Sequence, residues 1–336
     1  MEPYRVSSGN DPQFERAVDA LIAGDAPTLQ AMLRQDPTLI RARSARSHHA
    51  TLLHYVGTNG VEDERQRYPP NALEMLNLLL AAGADVDAEA DMYGGGATTL
   101  GLVSTSIHPA KAGLMIPLLD TLLAAGAAID HPGAGGNGQL AVVACLRNGR
   151  PEAAGYLSQR GAKLDLEGAA GIGRLDVVKT FFNKDGTLKD TATGTQMDYG
   201  FAWASEFGHT AVVDYLLDRG MAPDKHMDGL SGLHWAILGG RLETIQLLIR
   251  RKTDLEKRNI YGGTALGAAF YAAIHSDPVY HWPGEMADYV AIIRTLLEAG
   301  SRIEPGTLKW LDGEPGLSDV MKSRIGAVLR EYGAES

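Results

Sequence analysis

The chain has 336 residues, 45% of them hydrophobic and 21% charged, with 31 Lys plus Arg against 41 Asp plus Glu and a formal charge of −10. That is enough for about two globular domains or one long repeat array, and enough apolar residues to exclude a disordered chain. The acidic balance argues against a nucleic-acid-binding surface, which needs a concentrated positive field. The single cysteine, Cys145, excludes an intrachain disulfide and a cysteine-based zinc site. The opening MEPYRVSSGNDPQFERAV lacks the basic and apolar runs of a signal peptide, and no stretch of about 18 apolar residues occurs. The expectation is a soluble protein of the cytoplasm, with no membrane contact.

Two helices are predicted near the start, from FERAVDALIAGD and TLQAMLRQDP. Beyond them one pattern recurs at intervals of about 33 residues: a doubled apolar pair, two residues, Gly-Ala or similar, then an acid. It reads LLLAAGADVDAEAD (78–91), LLAAGAAIDH (122–131), YLSQRGAKLD (156–165), YLLDRGMAPD (215–224), LLIRRKTDLE (247–256) and LLEAGSRIE (296–304). Upstream of most copies lies a short apolar stretch ending in Gly, clearest in FAWASEFGHTAVVDYLLDRG (201–220) and SGLHWAILGGRLETIQLLIRR (231–251). SGLHWAIL predicts a helix that stops at Gly239–Gly240, where no side chain is strained. RLETIQLLI predicts a second helix with Ile245, Leu248 and Ile249 on one face. So tight a link makes the two helices antiparallel. One such unit cannot bury its apolar face, but stacked units can. SDVMKSRIGAVLREYG predicts a last helix with a charged outer face of Lys322, Arg324, Arg330 and Glu331, suited to a terminal cap.

These units resemble ankyrin repeats over about residues 12–333. The family's Thr-Pro-Leu-His opening is degraded to TLLH (51–54), TTLG (98–101), SGLH (231–234) and TALG (264–267), without proline in any copy, whereas GHTAVVDYLLDRG and AGADVD stay close to the family pattern. The weak openings and long insertions look like those of a bacterial ankyrin protein. The resemblance implies an all-α solenoid of stacked helix–turn–helix units with β-hairpin fingers, a single array over 12–333. It divides into an N-terminal cap at 12–46, about seven repeats over 47–304 and a C-terminal cap at 305–333, with tails at 1–11 and 334–336.

Insertions between the two helices of a repeat are expected at 57–71, 104–113 and 271–289, each with a proline. Such insertions fall on one face of a solenoid and often bind. A missing hairpin is expected near 163–168. By resemblance His54 and His234 bond to neighbouring backbone, and Trp203 and Trp235 pack in the core or form a ladder. Cys145 reads as a small core residue. The insertion at 271–289 holds His275, Asp277, His281 and Glu285, with Tyr280 and Trp282 between them. That set is compatible with a divalent metal but matches no defined motif, and loop anchoring is the alternative. Ser106 and His108, with Lys111, would suit nucleophilic chemistry only with an orienting acid; helix capping is the alternative. Three glycines in ADMYGGGATTLG read as a hairpin turn rather than a phosphate loop, because no G-K-[ST] follows. The basic stretches ARSARSHH (42–49) and ERQR (64–67) read as an anion spot or a solvated face.

Ankyrin arrays bind through finger tips and the exposed ends of first helices. The resemblance therefore places His49, Tyr93, Asn137, Arg147, Asn148, Glu206, Phe207, Asp228, Leu238, Ile260, Tyr261 and Tyr271 on the binding groove. Phe207, Leu238, Tyr261 and Tyr271 would form an apolar strip with a polar rim. The reading favoured is a module that binds another protein, with no cofactor and no metal. The alternative is an enzyme or small-molecule binder built on the insertions at 104–113 and 271–289, for which His108, His275 and His281 are the catalytic candidates. A purely structural, antitoxin-like partner of another gene product is a third reading.

Overall fold

The computed structural model describes residues 11–135, 138–275 and 287–335, and the chain divides into two compact units, Met1–Leu164 and Asp165–Ser336. In the first, α1 (Pro12–Ala23) and α2 (Ala26–Gln35) each begin after an aspartate, Asp11 or Asp25, whose carboxylate accepts a backbone N–H of the first turn. Gly24, at φ 73°, makes the turn between them. A 3-10 segment over Leu52–Gly57 then pairs with α3 (Ala72–Ala81). The hairpin of β1 (Glu89–Ala90) and β2 (Ala97–Thr98) follows, antiparallel, with Gly94, Gly95 and Gly96 all at positive φ in its turn. Next come α4 (Thr99–Thr105), α5 (Ile107–Lys111) and α6 (Met115–Ala124), then the pair α7 (Ala141–Arg147) and α8 (Pro151–Gln159).

The second unit opens with α9 (Leu166–Gly171) and α10 (Leu175–Thr180), followed by the longer α11 (Gly194–Phe207) with α12 (Thr210–Asp218). The hairpin of β3 (His226–Met227) and β4 (Leu230–Ser231) leads into α13 (Gly232–Leu238) and α14 (Leu242–Arg250). The pairs α15 (Ala265–His275) with α16 (Tyr289–Glu298) and α17 (Thr307–Gly313) with α18 (Asp319–Glu331) complete it. This is an all-α repeat fold of stacked helix pairs. Where a hairpin was expected to be missing, Asp165 caps α9 directly, its carboxylate accepting the Gly168 N–H at 2.7 Å.

Each pair buries a stripe rather than a whole surface. In α14 the buried positions are Thr244, Ile245, Leu247 and Leu248, while Ile249 is half-buried, so the inward face is shifted from the predicted one. Burying each such Leu or Ile contributes about 2 kcal/mol. The stack is tight where α13 ends. A Cβ on Gly239 would strike the Glu206 carbonyl at the end of α11, so only glycine admits this approach.

The helix openings share one device. The Thr98, Thr193, Ser231 and Thr264 hydroxyls and the Asp165 carboxylate each accept the N–H three residues on. At two openings a buried histidine extends the device. His54 Nδ1 accepts the Thr51 N–H at 3.1 Å, so Nε2 carries the proton and donates to Ala88 O at 2.9 Å and Ala97 O at 3.2 Å. His234 is placed alike after Ser231 and reaches Gly263 O at 3.3 Å. Burial holds both imidazoles well below their usual range, to about 4.

Two outcomes follow. Gly239→Ala should destabilise the chain by about 1–3 kcal/mol in urea unfolding, since the added methyl overpacks backbone; an unchanged midpoint would contradict the close approach. His54 and His234 protonate near 6.5 in the unfolded chain and near 4 in the folded one. The stability that neutral His54 and His234 provide is therefore complete above the unfolded value and is lost as pH falls from 6.5 to 4. The melting temperature should drop over that window, and less steeply in His234→Gln; identical slopes would show that the ring carries no linked proton.

Candidate functional site

In the second unit the groove positions fall into two groups. The ends of α11 and α13 carry Glu206, Phe207 and Leu238, all half-buried rather than exposed. The reason is crowding by the next repeat. Arg241 Nε donates to Glu206 O at 2.9 Å, Tyr289 OH donates to Leu238 O at 3.2 Å, and Ala287 packs on Gly240. Lost hydration pushes the Glu206 carboxyl up to about 7, opposed by the charge of Arg241. On the neighbouring face Trp203 meets Trp235 edge-on, with centroids 5.4 Å apart, and lies parallel to Tyr199 at 6.0 Å. Trp203 is buried, and its Nε1–H donates to the buried Glu167 at 3.0 Å; Trp235 is only half-buried.

The second group is open. Asn259 shapes a finger by accepting the N–H groups of Tyr261 and Gly263 on its side-chain oxygen, at 2.9 and 3.0 Å. This leaves Ile260 64% and Tyr261 83% exposed. Ile260 N–H donates to Gly229 O at 3.0 Å, which lays this finger against the β3–β4 hairpin. Asp228, at φ 49° in that hairpin, accepts from Tyr199 OH at 3.1 Å. Beneath the finger, between α15 and α17, lies a cleft of about 510 Å³. Tyr271, Phe270, Ile274 and Trp310 supply its apolar walls, and Arg258, Arg302, Glu304 and Glu314 its charges. Tyr271 stacks on His275 at 4.2 Å, and His275 Nδ1 is 2.9 Å from Tyr271 O, so the imidazole is anchored to its own helix.

In the first unit Tyr93, Arg147 and Asn148 come together around a smaller cleft of about 190 Å³, with Asn59, Thr105 and Gln139. The polar groups there are largely engaged. Tyr93 OH donates to Asn59, whose amide donates to Thr105 at 3.1 Å, and the Asn148 amide donates to Ala144 O at 2.8 Å. His49 lies 2.7 Å from Asp91. Ser106 is the cap of α5: its Oγ accepts the backbone N–H of His108 at 3.2 Å and donates to Thr58 O at 3.4 Å. Burial, and then the charge of Lys111, hold His108 below its usual range.

One arginine in each basic stretch is paired with acids. Arg46 pairs with Glu15 and Glu62, and Arg65 with Glu15 and Asp19. Desolvation pulls Glu15 upward, but the hydrogen bonds from Arg46 and Arg65 outweigh it and keep the carboxyl below its ordinary value. Cys145 is fully buried, and burial pushes its thiol up to about 12.

Asn137, Asp277, Tyr280, His281, Trp282 and Glu285 lie outside the described residues. Among the described residues no group of three or more His, Cys, Asp or Glu is placed to hold a metal ion, and no helix is long and apolar enough to cross a membrane. Sequence reasoning missed Phe270, Trp310 and Arg302 of the larger cleft. Their signal was weak, because Trp310 sits in a cap with no repeat pattern to give it a position.

The family model for ankyrin repeats, in 3 copies, matches residues 166–259 and 201–305. The chain is also similar to the E3 ubiquitin-protein ligase hecd-1 of Caenorhabditis elegans, 35% identical over 91 residues, a stretch that is 24% of this chain and 3% of that protein. Ankyrin repeats are generally protein–protein interaction modules. The paired short helices, the hairpin finger between them and the family match together identify residues 166–305 as ankyrin repeats.

Proposed function

We propose that this chain binds another protein across the fingers and first-helix ends of its second unit. Tyr261 and Tyr271 lie at the centre of that surface, Ile260, Phe207 and Leu238 beside them, and Glu206 and Asp228 on the rim. One observation carries the reading. Of the six large apolar side chains most exposed among the described residues, four (Ile260, Tyr261, Tyr271 and Trp310) belong to this finger and the cleft beneath it. Exposed apolar side chains gathered in one place mark interaction sites, and aromatic residues beside arginine are the usual anchors of an interface. Tyr93, Arg147 and Asn148 form a separate, more polar surface that a large partner would use for positioning.

Support for catalysis at the insertions is thinner. The Ser106 hydroxyl serves as a helix cap and the His275 ring is stacked on Tyr271, so neither offers a nucleophile paired with a free base.

Affinity capture from lysate of the source organism tests the proposal, comparing wild type with Tyr261→Ala and Tyr271→Ala variants that keep the wild-type circular dichroism. One protein should be enriched by wild type and weakened at least about tenfold by each variant, the size of loss that interface anchors commonly exceed. Val320→Ala, at an exposed apolar residue outside this surface, should change nothing. Recovery of the same proteins at the same level by all three variants would sink the proposal.

A further inference from the structure

The cleft beneath the last finger has an origin in the repeat pattern. At three helix openings the next finger or loop comes into contact three residues after the cap. At His54 it is met by the carbonyls of Ala88 and Ala97, and at His234 by that of Gly263. At Gly101 the Ala134 carbonyl approaches so closely that a Cβ would collide with it. At Gly267, three residues after Thr264, there is no such neighbour: a Cβ would meet only Thr264 Oγ1, at 3.8 Å. Residues 301–306 run straight into α17 without a strand. The cleft therefore occupies the place that a following finger would fill, and its volume is in the range of about 300–1,000 Å³ typical of ligand sites.

The lining specifies what fits. Tyr271 and the tilted pair Phe270–Trp310, with centroids 5.4 Å apart, line the cleft. Such walls take an aromatic ring in offset or edge contact. Arg258 is tied to Glu304 at 2.9 Å and to Gly262 O at 2.6 Å, and Glu314 accepts the Gly316 N–H at 2.9 Å. Arg302, exposed at the rim, pairs with no carboxylate of the described residues; only its backbone N–H is engaged, by Glu256 at 2.9 Å. It is the cation left to meet an incoming anion.

We infer that this cleft receives an extended segment of the partner in the place of the missing finger, with an aromatic side chain between Tyr271 and Trp310 and an Asp or Glu beside it on Arg302. This rests on the protein-binding reading above and names the partner's chemistry. An extended peptide fits better than a small molecule, because the exposed surface continues from the cleft onto Ile260 and Tyr261.

The test uses the full chain as bait for a displayed library of random dodecapeptides, followed by fluorescence titration of a synthetic peptide from the enriched class. Selected sequences should place Phe, Tyr or Trp within two positions of Asp or Glu. Arg302→Glu and Trp310→Ala should each weaken binding about tenfold or more, while Arg302→Lys, which keeps the charge, should lose much less. Selected peptides without an acidic residue, or affinity unchanged in Arg302→Glu, would overturn the inference. So would an empty selection from a bait that still captures its lysate partner through Tyr261, and that outcome leaves the protein-binding reading standing. Loss of the lysate partner with an acidic aromatic peptide still bound in the cleft would do the reverse.

Discussion

The close contact between a helix opening and the backbone of the following finger, made at His54, Gly101 and His234, is the constraint on which the rest depends. A cap hydroxyl fixes where the first helix starts. The residue three positions on then determines how the next finger sits, either by reaching for its carbonyl, as His234 does to Gly263, or by giving way to the chain, as Gly101 does to Ala134. Both solutions satisfy a buried carbonyl or a close contact that would otherwise cost stability. In the second unit the consequence reaches the surface. Gly263 is the base of the finger that carries Tyr261, so a buried imidazole in one repeat orients an exposed aromatic ring in the next.

Much of this was legible in the sequence. The helix pair over 231–251 could be read from the spacing of its apolar residues and from Gly239–Gly240, because local periodicity and backbone freedom decide such elements. The three glycines of the first hairpin and the cap at Ser106 follow from local chemistry in the same way. What escaped was decided by distant chain. The repeat pattern leaves Phe207 and Leu238 open, yet the tightness of Gly239 and the reach of Arg241 and Tyr289 crowd them. The stretch expected as a loop at 104–113 holds a short helix, because Ser106 caps one. Trp310 could not be placed from sequence, since its neighbour Phe270 lies 40 residues away and the cap follows no repeat pattern.

The charges divide by role. In the first unit Arg46 and Arg65, one from each basic stretch, both pair with Glu15 on α1 and so are committed to structure. In the second unit the groove end holds a carboxyl, Glu206, poised near neutrality by burial, and the cleft rim holds Arg302 without an acid partner among the described residues. An acidic protein can thus present a local cation where it matters, since recognition is governed by the charges within a Debye length of about 8 Å rather than by the total.

The buried thiol gives the chain a reporter of its own motions. Cys145 sits at zero exposure inside α7, and burial keeps it in its protonated, unreactive form. No second cysteine competes with it. Any thiol reagent that modifies the native chain must wait for this helix to open, so the labelling rate is a direct clock for local unfolding near the end of the first unit.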